Sequence, residues 1–159
     1  MKLQVIVYIA IMIFVAFVAE HLPLPEVLYM FQPAWIMLVV TALVLFAPHI
    51  FTLWLALPLG LMMDVEQDTL LGLHVILIAF HIFLLQVLYR RMYLFNVLQQ
   101  AGVLFLMIMA EQIIHYWAVA VLREDARPVL LVMPALFSAI LWPWVYAVGY
   151  RTLQRLQRG

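Results

Sequence analysis

Six apolar runs, separated by short polar breaks, follow one another along this 159-residue chain. A membrane-spanning α-helix needs about 20 mainly apolar residues, because about 30 Å of hydrocarbon is crossed at about 1.5 Å per residue. The first run exceeds the apolar region of a typical signal peptide, so we expect it to be retained as a helix. The pattern predicts membrane spans at residues 3–19, 31–47, 50–63, 70–88, 101–122 and 129–150.

The stretch 34–63 is apolar throughout but too long for a single crossing. As one helix its 30 residues would extend about 45 Å, far more than a bilayer needs. Pro48 lacks an N–H donor and disfavours helical geometry at Ala47. We therefore predict a hairpin of two short helices that turns at Pro48 and His49.

The composition indicates that the chain folds in a bilayer. Its residues are 69% hydrophobic and 10% charged, whereas a soluble domain is about 45–50% apolar and about 25% charged. A chain this short could not bury so much apolar surface in water. The net charge of zero lacks the basic excess of a nucleic-acid binder, and the absence of cysteine excludes disulfides and thiolate metal sites. We predict one all-α domain, residues 1–159, a polytopic six-helix transmembrane bundle with short second and third helices.

The cationic residues divide unequally between the two sides of this arrangement. With six crossings, one side carries six of them and the other two, so the positive-inside rule puts both termini in the cytoplasm. A re-entrant hairpin with four full crossings gives the same distribution, and both arrangements remain open. The larger group is Lys2, Arg90, Arg91, Arg151, Arg155 and Arg158, and the smaller is Arg123 and Arg127.

Glu111, Gln112 and His115 form a polar group within the fifth predicted span. Glu111 and His115 are four residues apart and therefore neighbours on a helix, and an ionised carboxylate facing lipid there would cost at least ~2.5–3.5 kcal/mol. We predict a buried polar seam whose members bind one another or neighbouring helices. The alternative is that the seam receives a partner helix or a small ligand.

Motifs for catalysis or metal binding are absent from the sequence. There is no HExxH, two ligands do not make a zinc site, and no Gly-x-Ser-x-Gly surrounds Ser138. We expect no enzyme activity, no metal and no cofactor.

Two glycines and two polar residues lie around the break between the third and fourth predicted spans. Gly60 allows another helix to approach closely, and Gly72 permits a tight turn. Asp64 can accept hydrogen bonds from loop amides, while His74 follows at the start of the next span. The group predicts either a turn that packs within the chain or a surface for a partner helix.

Two further segments are mixed in character. Residues 93–100 could lie along the membrane interface before the fifth span. Arg151, Arg155 and Arg158 are spaced by four and three, which predicts that the last helix extends along the inner leaflet. There the arginines would contact anionic lipid headgroups or a cytoplasmic partner.

Several short motifs, taken in order, resemble the MreD family of bacterial rod shape-determining membrane proteins. The resemblance covers essentially the whole chain. Ala34 stands where the family often has aspartate. The motifs are Pro33-Ala34-Trp35, Pro48-His49, Gly60 with Asp64, Leu71-Gly72-Leu73 and Leu141-Trp142-Pro143-Trp144.

This resemblance implies a non-catalytic scaffold in the bacterial inner membrane. It would belong to the cell-elongation machinery, bind the transmembrane helix of the bitopic protein MreC, and act indirectly with the MreB filament and the wall synthases. It would thereby help to control lateral peptidoglycan synthesis and cell shape, with self-association inside the complex. The fold would be similar to substrate-binding subunits of vitamin transporters. The alternative function is therefore small-molecule binding, with Glu111, Gln112, His115, His74 and His81 as its polar groups.

Overall fold

The computed structural model describes residues 3–23, 25, 28, 31–48, 53–120 and 132–158. Every regular element in these residues is helical, which confirms the all-α class, and a short 3₁₀ turn at Leu53–Leu55 leads into the third helix. The six α-helices of this part are α1 (Leu3–Glu20), α2 (Trp35–Phe46), α3 (Ala56–Glu66), α4 (Leu73–Leu94), α5 (Val97–Ala120) and α6 (Val132–Arg158).

Three of these helices are long and apolar enough to cross a membrane. They are α4, α5 and the Val132–Thr152 part of α6, while α1 from Ile6 onward and α2 are apolar but shorter. The chain therefore has the character of an integral membrane protein, and the arrangement of six crossings stays a prediction.

The short helix α2 lies at the centre of the bundle. It packs against α1, α4 and α6, and ten of its 12 residues, Ile36 to Leu45, are buried. Its sequence is apolar except for Thr41, which suits this position because a helix with neighbours on several sides needs no polar face. At about 1.5 Å per residue it extends about 18 Å, less than the hydrocarbon thickness.

Four of the other helices form two closely packed pairs, α3 with α4 and α5 with α6. Contacts between α4 and α5 are less extensive, and α2 connects the two pairs by packing against α4 and α6. The core consists mainly of aliphatic side chains with one large aromatic. Its fully buried members include Leu38, Leu43, Ile78, Ile82, Leu85, Leu104, Ile108 and Trp142.

A tight turn joins α4 to α5, so residues 93–100 divide between the end of one helix and the start of the next, and their place at the membrane interface stays a prediction. The N–H of Gln99 donates to Asn96 Oδ1 at 2.8 Å, and the N–H of Asn96 donates to Gln99 Oε1 at 3.0 Å. This reciprocal capping box satisfies two N–H groups at the start of α5. As a result α4 continues to Leu94 and α5 begins at Val97.

The ends of the second and sixth helices agree with the sequence pattern. The helix α2 ends at Phe46, where the N–H of Ala47 donates to Leu43 O at 2.8 Å, just before Pro48. His49 lies outside the described residues. The helix α6 continues to Arg158, which confirms the predicted helical extension, and its position at the inner leaflet stays a prediction.

Candidate functional site

The carboxylate of Asp64 organises the turn between α3 and α4. Its Oδ2 accepts the N–H of Gly72 at 2.6 Å, and its Oδ1 accepts the N–H of His74 at 2.9 Å. His74 Nδ1 lies 2.8 Å from Oδ1, and the Thr69 hydroxyl donates to the same oxygen at 3.2 Å. One buried carboxylate thus satisfies N–H groups at the start of α4 that no helical partner could accept.

Both glycines of this corner have structural roles within the chain. A Cβ at Gly60 would collide with the backbone N and Cα of Val75, so α3 and α4 touch through the glycine. Gly72 adopts φ +100°, a left-handed conformation that glycine reaches without strain. The Gly60–Asp64 and Gly72–His74 corner is therefore a turn that packs within the chain, which was one of its two sequence interpretations.

Asp64 lies in the last turn of α3, outside the three helices of spanning length. Burial by itself would raise the pKa of this carboxyl. Hydrogen bonds from the backbone and side chain of His74 and from the Gly72 N–H outweigh it and hold the pKa of Asp64 below its ordinary value. These donors stabilise the ionised form, so Asp64 carries its negative charge inside the turn.

A second buried polar cluster joins three helices in the middle of the bundle. Glu111 Oε1 of α5 lies 2.5 Å from His81 Nδ1 of α4. His81 Nε2 lies 2.8 Å from the Thr41 hydroxyl of α2, and that hydroxyl donates to Met37 O at 2.7 Å. The predicted seam therefore connects helices, with His81 as the partner of Glu111.

The remaining members of the predicted seam lie near this cluster. The rings of His115 on α5 and His74 on α4 have centroids 5.3 Å apart, which links the seam to the corner. Gln112 is half-buried on α5. Within the described structure, two buried polar atoms of the seam have no hydrogen-bond partner: Glu111 Oε2 and His115 Nε2.

Side chains from α1 and α6 hold the beginning of α2. The N–H of Ala34 donates to Ser138 Oγ at 2.9 Å, and the N–H of Ile36 donates to Glu20 Oε2 at 3.2 Å. Ala34, the N-cap residue, makes no side-chain cap hydrogen bond of its own. The motif Pro33-Ala34-Trp35 thus marks the start of the central helix, where Pro33 is buried and Trp35 half-buried.

The two tryptophans around Pro143 face different environments. Trp142 is fully buried, and its Nε1–H donates to Gln100 Oε1 at 3.1 Å. The Gln100 amide donates in turn to the carbonyls of Met92 and Phe95, so this group connects α6 to the α4–α5 turn. Trp144 is 76% exposed, and α6 continues through Pro143.

Sequence reasoning did not identify several of these contact residues. Thr41, Gln100 and Ser138 are fully or almost fully buried polar residues on apolar helices. A single polar residue within an apolar helix could have indicated a contact between helices, because a buried hydroxyl or amide needs a hydrogen-bond partner. The identity of each partner depends on helix packing.

The described residues do not meet the requirements of a metal site. Among the described residues, no group of three or more His, Asp or Glu side chains could hold a metal ion. Apart from Glu111 Oε2 and His115 Nε2, the buried polar groups described above bind one another and the backbone. What this arrangement can do is fix helices to one another at defined points.

These features define an all-helical membrane protein whose buried polar groups join helices around a short central one. A family model described as "MreD: rod shape-determining protein MreD" matches residues 1–150. The chain therefore belongs to the MreD family of rod shape-determining proteins, as its motifs suggest.

A curated relative and the solved structures complete the comparison. The chain is 25% identical over 132 residues to the rod shape-determining protein MreD of Haemophilus influenzae (strain ATCC 51907 / DSM 11121 / KW20 / Rd). The aligned region covers 83% of this chain and 82% of the relative. No solved structure matches the chain. Family membership and apolar helices identify an inner-membrane protein with a role in determining rod shape.

Proposed function

We propose that this chain is a non-catalytic inner-membrane scaffold of the cell-elongation machinery. It holds the transmembrane helix of an MreC-like bitopic protein and so helps to control lateral peptidoglycan synthesis, acting indirectly with an MreB-like filament and the wall synthases. The observation that carries this proposal is the family match over residues 1–150.

The use of polar groups in the bundle supports a scaffold. His81 binds Glu111, and His74 binds Asp64, so these side chains join helices within the chain. A small-molecule-binding subunit would instead need convergent polar groups that are free to contact a ligand. This pairing favours the scaffold over the transporter-like alternative.

Exposed apolar side chains beside the corner supply the surface for the partner helix. Gly60 is already in contact with Val75, so a partner helix does not use that glycine. Near the same corner, Met62 and Val65 on α3 and Ile76 on α4 are exposed. Helices associate in lipid through close packing because lipid tails compete equally for apolar surface. The Asp64 hydrogen bonds and the close contact of Gly60 with Val75 join the two helices that carry these side chains.

A matched pair of substitutions tests this surface. Ile76 on α4 and Ile140 on α6 are 65% and 62% exposed, so Ile76→Trp and Ile140→Trp add the same bulk at similarly accessible positions. We expect Ile76→Trp to lower several-fold the recovery of the bitopic partner after mild detergent extraction, while Ile140→Trp retains it.

The unfolding midpoint in detergent is measured beside the recovery. Both variants should unfold near the wild-type midpoint, because neither side chain contributes to the core. Wild-type partner recovery by Ile76→Trp, or equal loss in both variants, removes this surface from the proposal.

We further infer that both termini are cytoplasmic, on the basis of the cationic residues described above. Single cysteines at positions 90 and 151 should resist an impermeant reagent in intact spheroplasts, while cysteines at 66 and 127 should react. Reaction at position 90 would contradict this orientation. The tail arginines Arg151, Arg155 and Arg158 would then contact the inner leaflet or a cytoplasmic partner.

A further inference from the structure

The hydrogen bonds around His81 have a defined direction. Thr41 has one hydroxyl proton, and it donates that proton to Met37 O. The Thr41 oxygen must therefore accept from His81, which requires a proton on His81 Nε2. What remains to be assigned is the proton between His81 Nδ1 and Glu111 Oε1, which lie 2.5 Å apart.

Two arrangements place one proton between these atoms. In the first, Glu111 is a neutral carboxylic acid that donates its O–H to the unprotonated Nδ1 of a neutral imidazole. In the second, Glu111 is a carboxylate that accepts from Nδ1 of an imidazolium. Both have zero net charge, but only the second separates charge in an apolar interior.

The other oxygen of Glu111 decides between the two arrangements. Glu111 is 3% exposed, and its Oε2 is sealed from solvent without a hydrogen-bond partner in the described structure. In a carboxylate this oxygen would carry half of the negative charge, and an unpaired buried charge is far more costly than an unpaired carbonyl oxygen. The neutral acid is therefore favoured, because it leaves only an uncharged carbonyl oxygen without a hydrogen-bond partner.

We propose that Glu111 is a proton-binding site in the middle of the bundle, occupied as a neutral carboxylic acid that donates to His81 Nδ1. Donors then run in one direction, from Glu111 to His81 to Thr41 to the carbonyl of Met37. This chain joins α5, α4 and α2 without any net or separated charge. A proton suits a sealed site because it needs no cavity.

The polar groups near this site lead toward one end of the bundle. His115 lies one helical turn from Glu111 with its Nε2 unpartnered, its ring is near His74, and His74 binds Asp64 in the turn. Beyond His81 in the other direction, the next buried residues of α4, Ile82 and Leu85, are apolar. The proton on Glu111 therefore exchanges with solvent through His115, His74 and the turn that Asp64 organises.

The titratable groups that pack around the site support the neutral form. They are His74 and His81 from α4, His115 from α5 itself, and Asp64 from α3 through His74. The helix α2 has no titratable side chain. Tyr146 and Tyr150, the described tyrosines of α6, pack instead against Phe46 at the far end of α2. None of these contacts brings a lysine or arginine to Glu111.

Infrared spectroscopy of the detergent-solubilised protein tests the proton. Wild-type protein at neutral pH should show the carbonyl stretch of a protonated carboxylic acid, and Glu111→Gln should lose that component. Glu66→Gln is the control, because Glu66 is an exposed carboxyl at the end of α3 and its replacement should leave the component unchanged. A wild-type minus Glu111→Gln difference that contains carboxylate bands instead would overturn the proposal.

The route is tested by transfer into heavy water, which replaces the carboxyl proton by a deuteron and shifts the same band. His115→Phe keeps a ring in place but removes both nitrogens, and we expect it to slow the shift several-fold. Trp117→Phe changes an exposed residue on the same helix and should exchange at the wild-type rate. Equal rates in wild type and His115→Phe would overturn the route through His115.

Discussion

Asp64 and Glu111 are two carboxyl side chains buried to nearly the same extent, at 1% and 3% exposure, but bonded very differently. Asp64 accepts from two backbone N–H groups, the Thr69 hydroxyl and the His74 ring. Glu111 has one partner and one oxygen without any. The number of donors, rather than the depth of burial, therefore determines which form of a buried carboxyl is stable in this bundle.

The difference follows from the backbone near each group. Asp64 lies beside a turn, where N–H groups at the start of α4 have no helical acceptor and can point at a carboxylate. Glu111 lies within a continuous helix, where every neighbouring N–H already donates to a helical carbonyl. Only side chains can therefore bind it, and the one that does, His81, comes from another helix.

Removing the Asp64 carboxylate should have the largest effect. Asp64→Ala leaves the N–H groups of Gly72 and His74 buried without acceptors, and we expect a loss of about 3 kcal/mol in the free energy of unfolding. Asp64→Asn keeps one acceptor oxygen and should lose about half as much. Denaturant titration in detergent measures both. Equal losses would show that charge, and not the number of acceptors, holds the turn.

Replacing Glu111 should lower the free energy of unfolding by less than replacing Asp64, and the loss should depend on the shape of the new side chain. Glu111→Leu leaves His81 Nδ1 without its partner, so we expect a loss of about 1–2 kcal/mol. Glu111→Gln can donate an amide N–H to the same nitrogen and should remain within about 0.5 kcal/mol of wild type. The same titration measures both variants. A larger loss in Glu111→Gln than in Asp64→Asn would reverse the comparison.

Acid should affect the Asp64 turn gradually. Because the folded pKa of Asp64 is below its ordinary value of 3.8, the ionised group contributes its full stabilisation above that value. The contribution is lost as the pH falls through the folded pKa. The stability difference between wild type and Asp64→Asn should therefore be constant near neutral pH and shrink in acid. A difference that stays constant to the lowest pH tolerated would contradict the assignment.

A third carboxyl, Glu20, provides the smallest test of the comparison. Its Oε2 accepts the N–H of Ile36, and Ala34 at the N-cap position has no acceptor of its own. We expect Glu20→Ala to lower stability by about 1 kcal/mol and the Glu20→Ala, Ala34→Asp double variant to recover most of that loss. Thermal unfolding in detergent measures both. No recovery would indicate that Glu20 does more than cap α2.

Contacts between residues close in sequence could be predicted, and contacts between distant ones could not. Gly72 and Asp64 are eight residues apart, and the pattern of glycine and carboxylate already predicted a turn there. The polar character of the seam was also evident from Glu111 and His115. Its pairing with His81, 30 residues away, depends on how α4 and α5 pack, which hydrophobic periodicity does not specify.

The positions of the helices could be predicted, but one turn and one buried tryptophan could not. Apolar runs predicted the helices because lipid-exposed and core positions both favour apolar residues. The turn at 95–96 was missed because its capping box uses Asn96 and Gln99 within a stretch of mixed polarity. The burial of Trp142 was not predicted either, because its hydrogen bond to Gln100 depends on how α6 packs against the α4–α5 turn.

The central helix also constrains the order in which this protein can be completed during synthesis. The N–H at the start of α2 donates to Ser138, which is translated 104 residues later on the last helix. The helix α2 is also too short to span the hydrocarbon alone. A nascent chain that has not yet released α6 lacks the hydroxyl that binds the first turn of α2. The centre of the bundle is therefore finished only after α6 has been translated.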